Sequence, residues 1–201
     1  MENVVVSIFH IESEAFQAFS ELKQFVQTEN TKLAQASIVK AENGVVNVKD
    51  SFDLMNSLGD DYFEGGLIGS LIGILGGPLG VLFGFATGGA IGASVGSDKE
   101  LINSALITTV SKKLTNGEVA IIALVQENDE SVLNAIFEKY QVDIARWDVA
   151  TVAAEIESAL KIQEGLEHQA KARLIADKKE ARREKFDKLK ASIKEKFSKK
   201  N

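Results

Sequence analysis

The sequence predicts an α+β sandwich with an inserted helical hairpin and a long C-terminal helix. Three observations predict it. Short β-branched runs alternate with segments of helical periodicity. A block without a single charge, Gly65 to Ser97, interrupts them. From Val149 onward the apolar pattern is helical for about fifty residues. At 201 residues and 45% hydrophobic content the chain has room for one domain with an appendage. Residues 1–148 are expected to form that domain, interrupted by the hairpin at 65–96, and residues 149–201 a helical extension.

Val4 to His10 (VVVSIFH) is rich in β-branched residues and reads as a buried first strand. Ser13 is suited to cap a helix whose Phe16, Phe19, Leu22, Phe25 and Val26 recur at spacings that place them on one face. Ala34–Ala41 and Val45–Lys49 read as two strands joined by Asn43-Gly44, a pair suited to the positive φ angles of a type I′ turn. Asp50 to Glu64 is acidic and mixed, and a short helix is expected there. After the uncharged block, Ser97 or Asp98 is expected to cap a helix carrying Leu101, Ile102, Ala105, Leu106, Thr109, Val110 and Leu114, ended by Asn116-Gly117. Val119–Val125 (VAIIALV) is the most apolar strand candidate and is expected at the centre of a sheet. Asp129 opens a helix with Val132, Leu133, Ile136, Phe137 and Tyr140 inward, and Val142–Trp147 is a last short strand. The first six elements outside the uncharged block follow the split βαβ order of a ferredoxin-like sandwich.

Within the uncharged block, glycines recur every fourth position: Gly65, Gly69, Gly73 and Gly77, then Gly80, Gly84, Gly88, Gly92 and Gly96. A spacing of four on a 3.6-residue helix keeps them in one slowly drifting stripe, and a stripe without side chains lets another helix approach closely. This is a glycine zipper in two halves. Pro78, the only proline, follows Gly76-Gly77 and costs about 3 kcal/mol inside a helix, so these three residues are expected to turn the chain. The first half rises roughly 20 Å and the second roughly 27 Å, against a hydrocarbon core of about 30 Å. Shallow insertion, or burial within an oligomer, fits those lengths better than two full crossings. A hairpin also returns the chain to its starting side, so that strands before and after it can share one sheet.

Charge is unevenly distributed. Net charge is −6, yet residues 171–201 carry 13 Lys or Arg against 5 Asp or Glu, a surplus of eight that leaves −14 on residues 1–170. In that tail Phe186, Leu189, Ile193 and Phe197 form one helical stripe with Lys190 and Lys194 beside it, a basic amphipathic pattern suited to anionic lipid or a partner surface. A solvated helix with mixed charges, such as Arg183 and Asp187 at i and i+4, explains the same composition without a ligand. Nucleic acid is not an expected partner, because aromatic interleaving is sparse and the body is acidic.

No residue is singled out for catalysis, cofactor binding or metal binding. The chain has no cysteine, which removes disulfides and thiolate sites. Its two histidines, His10 and His168, have no metal-ligand partner nearby in sequence. Glu64 to Gly69 lacks the Gly-Lys-Ser/Thr ending of a phosphate loop. Pairs such as Asp60 and Asp61 read as solvated loop charge, and Trp147 as a packing residue. The N-terminal segment has Glu2 where a leader would be basic, so a cytoplasmic location, or the cytoplasmic face of a membrane, is expected.

A β-α-β-β start, the segment GGLIGSLIGILGGPLGVLFGFATGGAIGA and the following α-β unit together resemble the bacterial family called domain of unknown function 1269, over about residues 3–160. The resemblance implies an α+β domain with an inserted glycine-rich hairpin and supplies no enzyme activity or catalytic residues. Proteins of this family are often labelled predicted membrane proteins. Asp60, Asp61, Glu64, Asp98 and Glu100 flank the block here, so the basic flanks that orient membrane segments are missing. The expected function is non-enzymatic: membrane association or self-assembly through the zipper. The alternatives are a soluble homo-oligomer that buries the hairpin between subunits and a small-molecule-binding domain.

Overall fold

The computed structural model describes residues 1–54, 66–77, 80, 105–168, 171, 173, 178 and 180. Two compact units, Met1–Leu160 and Lys161–Asn201, are distinguished. The first is an α+β domain containing strands β1 (Glu2–Phe9), β2 (Thr31–Glu42), β3 (Val45–Asp53), β4 (Val119–Glu127) and β5 (Val142–Asp148). Its helices are α1 (Glu12–Lys23), α2 (Leu67–Gly76), α3 (Leu106–Lys113), α4 (Ser131–Phe137) and α5, the long C-terminal helix beginning at residue 149.

The five strands form one sheet in the order β3-β2-β4-β1-β5, every neighbouring pair antiparallel. β1 and β2 therefore run one way and β3, β4 and β5 the other. β4 lies between β1 and β2, and β1 lies between β4 and β5, so two split βαβ units, β1-α1-β2 and β4-α4-β5, interleave. This differs from the expected arrangement, in which the first six elements form the pattern and β3 contributes to it. The reason is physical. Asn43 (φ 55°) and Gly44 (φ 77°) make the expected tight turn and fix β3 beside β2. β4 is apolar on both faces and needs a neighbour on each side, whereas β3 (VVNVKDSFD) is mostly exposed or half-buried and tolerates an edge.

Helices cover both faces. On one, Val5, Phe9, Leu33, Ile38, Ile121 and Ala123 pack with Ala15, Ala18, Phe19 and Leu22 of α1 and Leu133 and Phe137 of α4. On the other, Val4, Val6, Ile8, Val39 and Ile122 pack with α2, α3 and the start of α5 through Val152, Ile156 and Ala159.

Several boundaries differ from expectation. α1 has Ile11, not Ser13, at its N-cap, and its buried face uses Ala15 and Ala18, while Phe16 is exposed and Val26 lies beyond the helix in solvent. β3 continues through Asp53, where the expected short helix would have begun. α3 starts at Leu106 after an extended Ala105 (ψ 136°), so no helix runs unbroken from Asp98. Residues 55–65 and 81–104 lie outside the described residues.

In the second unit residues 161–168 are helical, with Ile162 and Leu166 exposed. The predicted contact residues Phe186, Leu189, Lys190, Ile193, Lys194 and Phe197 lie outside the described residues. Among the described residues no helix is long and apolar enough to cross a membrane.

Candidate functional site

α2 is the described part of the glycine-rich block, and its two sides differ sharply. Ile68, Leu71, Ile72, Ile74 and Leu75 are buried. They join the core of the sheet face that carries Val39 and Val46, and α2 touches β2, β3, β4 and α3. The bulky back expected to need lipid or protein is covered here by the chain's own sheet. Gly73 is exposed, and a Cβ built on it would meet nothing within 4 Å. Gly69 and Ser70, on the same side, are half-buried.

At its C-terminal end α2 comes down on β3. A Cβ at Gly76 would stand 2.8 Å from the Val46 carbonyl oxygen, so the contact admits only glycine without a shift. The helix stops at Gly76, and Gly77 is extended (φ −90°, ψ −174°), as a residue preceding proline favours. At Gly80 a Cβ would overlap the carbonyl oxygen of Leu75. Of the remaining predicted packing and turn residues, Gly65, Pro78, Gly84, Gly88, Gly92 and Gly96 lie outside the described residues.

Among the described residues, three polar clusters tie distant elements together, and the sequence reading missed all of them. The most buried is at the end of the sheet under α4. The Glu127 carboxylate, with its side chain 1% exposed, accepts a hydrogen bond from Arg146 Nε at 2.8 Å and one from Asn3 Nδ2 at 3.1 Å. Arg146 Nη2 donates to Asn134 Oδ1 of α4 at 2.6 Å. Its available signal was Arg146 itself, the only arginine before Arg173, set in an otherwise strand-like run.

In the second cluster, Glu155 of α5 accepts the backbone N–H groups of Leu106 (3.1 Å) and Ile107 (3.3 Å). Burial pushes its carboxyl above the usual carboxylate range, with the two amide bonds opposing that shift. The third joins α1 to the segment after α4. Glu21 accepts from Lys139 Nζ and the Tyr140 hydroxyl, each at 2.7 Å. Those two bonds hold Glu21 below its ordinary value. Burial, with Glu21 adding to it, pushes the Tyr140 hydroxyl up to about 12.

His10 Nδ1 lies 3.0 Å from Glu118 Oε1 in an exposed pair, and Glu118 also accepts from the backbone and hydroxyl of Thr115. This joins the end of β1 to the turn before β4. Among the described residues no group of three or more His, Asp or Glu is placed to hold a metal ion. Trp147 packs against the α2 side of the sheet.

No curated protein and no solved structure matches the chain. Residues 63–177 match a family described as "protein of unknown function (DUF1269)". The match begins after β3, later than residue 3, and runs past residue 160 into the C-terminal helix, so it spans the glycine-rich block, α3, β4, α4, β5 and α5. More than half of the chain is covered, and the chain belongs to the DUF1269 family.

Proposed function

We propose that this protein is a non-enzymatic self-associating module on the cytoplasmic side of the cell, and that the glycine-bearing hairpin supplies its helix-packing surface. One observation carries the reading: α2 buries its bulky side against its own sheet and leaves Gly73 outward with open space above it. In a helix seated in lipid by this kind of sequence, the bulky side would face the acyl chains and the glycines would face protein. Here the bulky side is already satisfied. The side still open is the one at which a second helix backbone can approach closely, and a second copy of the chain is the partner proposed.

Gly73→Leu tests this directly. A Cβ at Gly73 meets nothing within 4 Å, so the folded domain is expected to be retained, while the leucine side chain would obstruct any helix packed across that face. Light scattering of the full chain is expected to show an oligomer for the natural sequence and a smaller species for Gly73→Leu. An unchanged mass for a folded Gly73→Leu protein would remove this face from the assembly.

Association with anionic lipid through the basic tail is the second reading, favoured by the surplus of eight positive charges in residues 171–201. It predicts binding to phosphatidylserine vesicles that is lost on deleting residues 178–201 and weakened by salt. Binding that survives that deletion at high salt would transfer the anchoring role to the hairpin.

A further inference from the structure

α3 is a short helix with an unusual beginning. Its N-cap is Ala105, which has no side-chain oxygen to accept the unpaired amide groups of the first turn. Leu106 and Ile107 are buried, at 0% and 4% exposure, so water does not reach these side chains. The missing acceptor comes from 49 residues further along the chain, where the Glu155 carboxylate takes the Leu106 N–H with one oxygen and the Ile107 N–H with the other. Glu155 is carried there by α5, whose Val152, Ile156 and Ala159 are buried on the sheet face that also holds α2 and α3. In sequence, α3 follows the glycine-rich block.

We infer that α5 is a strap and that Glu155 is its buckle: the carboxylate serves as a removable N-cap for α3 and thereby controls whether the first turn of α3 stays formed against the sheet. α2 is held independently by its five buried residues and by the Gly76–Val46 contact. α2 is thus firmly packed, whereas the first turn of α3 depends on a single side chain from another helix. Lifting α5 withdraws the cap and the cover of Ile156 and Ala159 together. The helix then frays from Leu106, because its first-turn amides lose their only side-chain acceptor among the described residues. The strap operates whether or not the hairpin assembles, and its test is read within one chain.

The experiment is hydrogen–deuterium exchange on the full-length protein and on Glu155→Ala and Glu155→Gln. Glu155→Ala is expected to accelerate exchange across 106–113 by about fivefold, the shift that accompanies loss of a helix cap. Exchange in β4 should stay at its natural rate. Glu155→Gln keeps a side-chain carbonyl oxygen able to accept one of the two amides, and should retain most of the protection. Unchanged exchange at 106–113 in Glu155→Ala would overturn the inference. Equal acceleration in β4 and α3 would overturn it too, because Glu155 would then support the whole core. Loss of protection in Glu155→Gln equal to that in Glu155→Ala would show that hydrogen-bond acceptance at this position does not hold the helix.

Discussion

Two glycines three residues apart in α2 should respond oppositely to the same substitution. At Gly76 an added Cβ stands 2.8 Å from the Val46 carbonyl oxygen, whereas ordinary carbon–oxygen contacts lie near 3.3–3.6 Å. The helix end and β3 must therefore separate by roughly 0.5 Å, which the backbone on both sides resists. Overpacking of this kind costs about 1–3 kcal/mol, offset by about 1 kcal/mol from replacing a helical glycine. Gly76→Ala is thus expected to lose up to about 2 kcal/mol net. At Gly73 nothing lies within 4 Å of the new methyl group, so only the helix preference acts, and Gly73→Ala should gain about 0.5–1 kcal/mol. For a chain of this size each kcal/mol moves the melting temperature by about 2–4 °C. The assay is thermal unfolding followed by circular dichroism at two protein concentrations, which separates folding from association. A Gly76→Ala protein stabilised as much as Gly73→Ala would refute the close contact between α2 and β3.

Other consequences can be checked by equilibrium unfolding. Arg146→Ala strands the Glu127 carboxylate in the core and should cost about 3–5 kcal/mol, while Arg146→Met with Glu127→Leu should recover most of the loss; a double variant no better than the single one would deny that the stranded charge is the cause. Ser7 has a buried hydroxyl with no hydrogen-bond partner among the described residues, and Ser7→Ala should raise stability by about 1 kcal/mol, a loss of stability counting against that reading. Glu155 is raised above its ordinary value of 4.5, so the folded state holds its proton more tightly than the unfolded one. Its favourable contribution is complete below the unfolded value and is lost as pH rises through the folded value, so the natural protein should lose stability relative to Glu155→Gln as pH is raised above 4.5. A stability difference independent of pH would place the shift elsewhere.

The sequence was most legible where structure is decided locally. Asn43-Gly44 announced its turn because both residues must take positive φ, and they do. VAIIALV announced a central strand because it has no polar face to give to water, and β4 has neighbours on both sides. The helix stop before Pro78 followed from proline's constraint on the residue ahead of it. What stayed hidden depends on distant partners. α3 begins at Leu106, not near Asp98, and its cap lies on another helix. Phe16 matched the apolar periodicity of α1, yet Ala15 and Ala18 join the expected Phe19 and Leu22 on its buried face while Phe16 is exposed, since the sheet beneath decides which stripe turns inward. The Glu127–Arg146 pair joins strands separated by β1, so neither residue's neighbours in sequence point to the other. The strand order itself turns on which strand is apolar on both faces, a comparison between β3 and β4 that element counting does not make.

The packing of α2 also limits what the hairpin can do. Five of its side chains are buried, and each such burial contributes about 1.5–3 kcal/mol, so detaching the helix would cost on the order of 10 kcal/mol. That is comparable to the about 5–15 kcal/mol that separates a typical domain from its unfolded state. Lipid would recover the apolar burial of α2 itself, but the sheet beneath it, on β2, β3 and β4 with Val39, Val46 and Ile122, would then lose its cover. At about 1.5 Å per residue, its 10 residues reach only half of the roughly 30 Å hydrocarbon core. Insertion of this arm gains nothing that the sheet does not already provide. A membrane contact made by the glycine-rich block would have to leave α2 docked on the sheet. Self-association needs no such rearrangement, because the Gly73 face is open while the helix stays docked.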